Sequence, residues 1–217
     1  MVREAYHKDL HKLKEEILNM GSRVGMMIGE AVLSLKNRDV EMAQKVIDMD
    51  KEIDALDHSI EENCMRLLAL QQPMARDLRL IISVLKMSID LERMGDLALE
   101  IAVITKMTAS VPPIKPLIDI PRMAEICQDM LKNTMIAFEN KDVELAEQVA
   151  MRDDEIDALF DQVRRELISF MIEDPKKITG AQHLTFVARY LERIGDHITN
   201  LCESVVFMVT GERVELN

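Results

Sequence analysis

Four pairs of carboxylates share one spacing. Asp50 and Asp54, Glu92 and Asp96, Asp153 and Asp157, and Glu192 and Asp196 each lie four residues apart. On a helix such residues are surface neighbours, and like charges there repel by about 0.2–0.5 kcal/mol per pair. Solvation, ion pairing or a bound cation would relieve that repulsion. A donor set made of carboxylate oxygens suits magnesium, calcium, manganese or iron better than thiol-seeking ions. Glu100 extends the Glu92–Asp96 stripe by one further turn, and Asp57 and Glu61 extend the Asp50–Asp54 stripe. Arg93 and Arg193 sit inside the repeated Leu-Glu-Arg-x-Gly-Asp motif, placed to pair with the acids or to reach a partner protein. His197 follows Asp196, but Leu97 holds the matching position after Asp96. That fits a packed or solvated histidine better than a ligand.

Signals for catalysis are thin. A carboxylate-bridged di-iron oxidase needs Glu-x-x-His motifs on two core-facing helices. A single match, Glu4 to His7, stands at the start of the chain. There is no phosphate-binding glycine loop and no nucleophile elbow. The sequence therefore reads as a non-enzyme.

The carriers of these acids read as long helices. The chain of 217 residues is 48% apolar but 3% aromatic, and it has no tryptophan. Leu, Ile, Met, Ala, Glu and Lys dominate it, and these favour helix over strand. Leu10, Leu13, Ile17, Met20, Val24, Met27, Ile28, Ala31 and Leu35 recur at intervals of three and four. They predict a first helix over 3–36, with Gly21 and Gly25 as weak points inside it. Further helices are predicted over 40–70, 74–108, 120–139, 143–172 and 178–210. Asp39 and Asp142 are their N-cap signals, and Pro73, Pro175 and Gly211 their stops. On the third helix Leu91, Met94, Ala98, Ile101 and Ala102 face the core, as do Ile53, Leu56, Ile60 and Leu67 on the second. The acidic stripes then fall on flanks that adjoin when the two helices pack.

The chain repeats itself. Asn37 to Ala43 matches Asn140 to Ala146, and Asp50 to Leu56 matches Asp153 to Leu159, both offset by 103 residues (39 to 142). Leu91 to Asp96 matches Leu191 to Asp196 at an offset of 100 (91 to 191). Collinear matches of this kind mark a duplicated unit. Four prolines between Val111 and Pro121 mark a linker. The expected layout is one three-helix bundle over 1–110, a linker over 111–118 and a second bundle over 119–217. Asp57 becomes Phe160 and Glu100 becomes Asn200 in the second copy, so the two acidic sites should differ in size.

The net charge of −12 argues against nucleic acid as a partner. It favours cations or basic protein patches. Cys64, Cys127 and Cys202 form no CxxC pair, which suits reduced thiols in the cytosol. The first sixteen residues are too charged for a secretory signal, and no apolar run spans a bilayer. A cytoplasmic protein is expected, one that can still dock onto a membrane protein.

Two stretches resemble a known family. Gln71-Gln72-Pro73-Met74-Ala75-Arg76-Asp77-Leu78-Arg79, followed by Asp90 to Asp96, is similar to the first repeat of PhoU proteins, and Ala188 to His197 to the second. The resemblance spans nearly the whole chain. It implies an all-α fold of two three-helix bundles packed side by side, often as a homodimer. It implies a negative regulator of phosphate uptake and of the phosphate-starvation response. The implied partners are the ATPase of the phosphate-specific ABC transporter and the phosphate-sensing histidine kinase. It also implies multinuclear metal clusters on Asp50, Asp54, Glu92, Asp96, Asp153, Asp157, Glu192 and Asp196, with iron favoured and zinc, magnesium or manganese as alternatives. A metal-independent scaffold that binds basic partner surfaces through the acidic stripes is the alternative reading.

Overall fold

The computed structural model describes residues 2–216, and the side chains of all of these except residues 2–5 and Gln71. Glu4 of the N-terminal Glu-x-x-His stretch and Gln71 of the resemblance motif therefore have side chains outside the described residues. Every helical segment expected from the apolar periodicity is present. They are α1 (Val2–Asn37), α2 (Val40–Gln71), α3 (Arg76–Thr108), α4 (Asp119–Asn140), α5 (Val143–Ala150), α6 (Asp153–Glu173) and α7 (Ile178–Thr210). A short 3-10 turn, Pro175–Lys177, joins α6 to α7.

The restart signals work as capping chemistry requires. Asp39 accepts a hydrogen bond from the Met42 amide at 2.9 Å, and Asp142 accepts one from Leu145 at 3.0 Å. Each satisfies one orphan donor of the first helical turn. The residue before each cap, Arg38 or Lys141, takes the left-handed backbone conformation that ends the preceding helix. Both halves thus turn the same corner by the same device.

One expectation needs correction. The segment 143–172 was expected to be a single helix, like its counterpart α2. It divides at Met151 and Arg152, where the backbone tightens. The Arg152 amide bonds to Val149 rather than one residue further back, a 3-10 pattern. Arg152 fixes the turn by pairing with Asp129 on α4 and, at 3.5 Å, with Glu155. Met49 holds the matching position in α2 and has no charge to pull with. The third helix also begins later than expected, at Arg76 rather than Met74. Gln72 and Ala75 both have positive φ, which breaks the chain direction there.

In the first half α1, α2 and α3 pack on one another. In the second, α7 packs against α4, α5 and α6. The halves join through α3 against α7 and α1 against α4. The α1–α4 contact accounts for Gly21, one of the two glycines that weakened the sequence pattern, while a Cβ on Gly25 would meet Leu131 at an ordinary 3.6 Å. A Cβ on Gly21 would come within 2.9 Å of Met135, and the Gln128 amide donates to the Gly25 carbonyl at 2.8 Å. Glycine is the cost of letting the two backbones approach. One apolar cluster runs through both halves, and it includes the first-helix positions expected from periodicity. Leu56, expected in the core, is half-buried at its edge. Cys64, Cys127 and Cys202 are all buried with free thiols. Among the described residues no helix is long and apolar enough to cross a membrane.

Candidate functional site

Packing α2 on α3 sets their acidic flanks side by side. Burial pushes the Asp50 carboxyl up to about 6, reinforced by the charges of Asp54 and of Asp96 across the helix boundary. Glu92 is raised first by burial and then by Asp96, with Arg93 opposing and with Asp57 and Asp54 of α2 adding to the rise. The structure therefore gathers Asp50, Asp54, Asp57, Glu92 and Asp96 into one field.

The second half repeats the arrangement on α6 and α7. Burial raises Asp157, followed by Asp196, Asp154 and Asp161, with Arg189 opposing. Burial also raises Glu192, then Asp196, with Arg189 opposing and Asp157 and Asp153 adding. Packing sets the motif glycine here. A Cβ on Gly195 would lie 2.2 Å from the Asp153 Oδ1 and 3.0 Å from Ile156. A Cβ on Gly95 would meet Ile53 at 3.4 Å and Asp50 at 3.7 Å. The second site is thus drawn in more tightly, and Asp153 is 2% exposed. The turn at Arg152, directly before it, accompanies that depth.

Arginines close both stripes. Arg93 pairs with Glu92 at 3.4 Å and Asp96 at 3.1 Å. In the second half Arg189, rather than Arg193, pairs with Glu192. Its guanidinium also lies 5.8 Å from the centre of the Phe160 ring, where the first half has Asp57. Arg193 is exposed, and its charge acts on Tyr190. Glu100 acts on Tyr190 as well, raising it after burial, while Asp50 and Glu92 respond to Asp54, Asp57 and Asp96 instead. Glu100, one turn beyond Asp96 on α3, therefore also faces the seam between the halves. His197 belongs to that seam too. Its Nδ1 lies 2.9 Å from Asp90 on α3, which also accepts from Asn200 at 3.2 Å.

Two buried carboxylate oxygens stand out along the stripes. Asp57 Oδ1 and Glu192 Oε2 are buried without a hydrogen-bond partner. Glu192 was among the expected ligands and Asp57 was not. Asp57 was signalled by its place three residues beyond Asp54, whereas Arg189 has no basic counterpart in the first half to mark it.

A cation suits these groups chemically. They are hard oxygen donors with raised proton affinities, and two of their oxygens lack donors. As the side chains stand, no three His, Cys, Asp or Glu among the described residues converge to hold an ion. Arg93 and Arg189 occupy the neutralising role instead. Both side chains are about half exposed, at 57% and 49%, but the Glu192 side chain is 11% exposed and would need another cation if Arg189 left it.

A family model described as the PhoU domain matches residues 17–105 and again 120–205. The phosphate-specific transport system accessory protein PhoU homolog of Aquifex aeolicus is 42% identical over 208 residues, covering 96% of this chain and 94% of that protein. The protein of the same name from Deinococcus radiodurans is 38% identical, covering 98% of this chain and all of that one. Among solved structures, PhoU from Pseudomonas aeruginosa superposes with a TM-score of 0.92 at 35% identity, covering 95% of this chain and 100% of that one. The phosphate transport system regulatory protein PhoU from Streptococcus pneumoniae gives 0.90 at 31% identity, covering 97% and 99%. Two matches to one domain model, in register with the internal duplication, and relatives aligned end to end leave one conclusion: the chain belongs to the PhoU family.

Proposed function

We propose that this chain is a regulatory accessory protein of a phosphate-specific transport system, acting by protein–protein contact rather than catalysis. The names of its relatives support the transport role. By the same reading it restrains phosphate uptake and the phosphate-starvation response through the transporter ATPase and the phosphate-sensing histidine kinase. It works in the cytoplasm as a homodimer and meets the membrane only through those partners.

The observation that carries the mechanistic part is the twofold occurrence of a cross-helix carboxylate field with raised proton affinity. Asp50, Asp54, Asp57, Glu92 and Asp96 would hold cations in the first half, and Asp153, Asp157, Glu192 and Asp196 in the second. Bound cations, iron foremost, would supply positive charge between two helices. The residues themselves do the rest. Arg93 and Arg189 release their carboxylates and become available to a partner, and the acids fix the spacing of α2 against α3 and of α6 against α7. The second site, with Phe160 in place of Asp57, has fewer donors.

Metal analysis of protein purified without chelator tests this reading. The native chain is expected to retain metal, E92Q/D96N to lose the larger share, and E192Q/D196N the smaller. Metal-free protein that is indifferent in stability to added iron, zinc, manganese or magnesium overturns it. The arginine pairs favour a second reading, in which the stripes are already neutralised and serve as a metal-independent scaffold. Charge reversal at Glu92 and Asp96 would then weaken partner binding even in chelator.

A further inference from the structure

The duplication gives the molecule two related cavities at opposite ends. One, of about 290 Å³, lies where α1 and α3 end and α7 begins. The other, of about 520 Å³, lies where α3 begins, where α4 and α7 end, and along the first turns of α1. Their linings correspond through the repeat. Arg38 in the first matches Lys141 in the second, and Lys176 matches Arg76.

The two have been finished differently. The linker fills the first with Pro112, Pro113, Ile114 and Leu117. Its Lys115 pairs with Glu166 and, at 4.0 Å, with Asp119. The second has no such plug. Lys14, Arg76, Arg79 and Lys141 line it. Among the described residues, none of these four has a carboxylate within ion-pair distance, so the cationic lining of the cavity is left without a counter-charge from the protein. Arg79 donates to the Met208 carbonyl at 3.3 Å. The one acid in the lining, Asp77, accepts the Tyr6 hydroxyl at 3.1 Å.

The cations stand close enough to act on one another. Burial lowers the Lys141 pKa, and Arg76 and Lys14 lower it further. An anion joining these cations would relieve their mutual repulsion, which stands out on a chain of net charge −12. The cavity also opens at the start of α3, which has no side-chain cap, so the positive end of the helix dipole adds to the field there, with Asp77 of the first turn opposing it.

We propose that this second cavity binds a small multiply charged phosphate compound, a short polyphosphate or a nucleotide. The cation count exceeds what a single orthophosphate balances, and two guanidinium forks suit phosphate oxygens. The volume is several times that of one tetrahedral anion. This site shares no residue with the acidic stripes, so it stands or falls apart from the function proposed above.

Calorimetric titration of the full chain with tripolyphosphate, ATP, orthophosphate and citrate, all in chelator, tests it. Tripolyphosphate or ATP is expected to bind, more weakly as salt rises. Equal affinity for the two marks charge as the determinant, and tighter ATP binding marks a nucleotide. K14Q/R76Q should lose about tenfold or more in affinity, the worth of at least one charge-assisted hydrogen bond. K176Q, the matching change at the plugged cavity, should not alter it. The unliganded K14Q/R76Q chain should melt no lower than the native one, because repulsion has been relieved. Should that chain fail to fold, Lys141→Asn keeps a residue tolerant of the left-handed backbone and carries the same affinity prediction. No polyphosphate or ATP binding, binding that these variants leave intact, or citrate binding as tightly as tripolyphosphate overturns the proposal.

Discussion

Gly195 shows how a single position can mean different things in two copies of one motif. Both motif glycines face an aspartate and an isoleucine of the neighbouring helix, but the gaps differ by more than an ångström at the carboxylate. Gly195→Ala must displace a buried carboxylate and is expected to cost about 1–3 kcal/mol, the usual penalty of overpacking. Gly95→Ala meets ordinary van der Waals contact and should be neutral or stabilise by up to about 1 kcal/mol, since alanine is the better helix former. Urea midpoints of the two variants decide it, and equal losses would show that the difference in depth is not real. At this scale the sequence was partly legible. The four acidic pairs could be read from spacing, because i and i+4 are neighbours on any helix. The role of Arg189 could not, because its first-half counterpart is Ile89 and the repeat gives no hint of it.

At the scale of elements, the duplication was readable wherever the chemistry is local. Aspartate caps and prolines act within a turn or two of themselves, so the corners at Asp39 and Asp142 follow from sequence. The break at Met151 and Arg152 depends on Asp129, 23 residues away on α4, and no local signal marks it. The start of α6 is expected to open more readily than the uninterrupted stretch of α2 around Asp50, because the first amides of α6 lack full helical partners. Hydrogen exchange read by mass spectrometry should find faster exchange over 152–155 than over 49–52. Matching rates would mean that the Arg152 pairings hold the turn as firmly as a continuous helix.

The whole molecule has one core, although the chain was written as two units. Buried residues of α3 and α7 meet across the seam, where the Ser83 hydroxyl donates to the Ser204 carbonyl at 3.0 Å. Cutting the chain in the linker would expose that apolar face on both pieces. The intact protein is therefore expected to unfold in one calorimetric transition, with calorimetric and van't Hoff enthalpies in agreement. Two resolved transitions would show that each bundle is stable alone. Prolines mark the stretch between α3 and α4 in the sequence, but the fusion of the two repeats was not legible, because it rests on side chains that meet only after both repeats have folded.

The three cysteines give that fusion an observable face. Each thiol is buried and held in a protonated form: Cys64 is pushed up to about 12 and Cys202 to about 11, and Cys127 is raised as well, in every case chiefly by burial. Thiolate is the reactive species, so the folded chain is shielded from alkylation and oxidation alike. Cys64 rides on α2, Cys127 on α4 and Cys202 on α7, beneath different layers of one core. The molecule thus carries three silent clocks, each started only when its own layer lifts, and the order in which they run records how the protein comes apart.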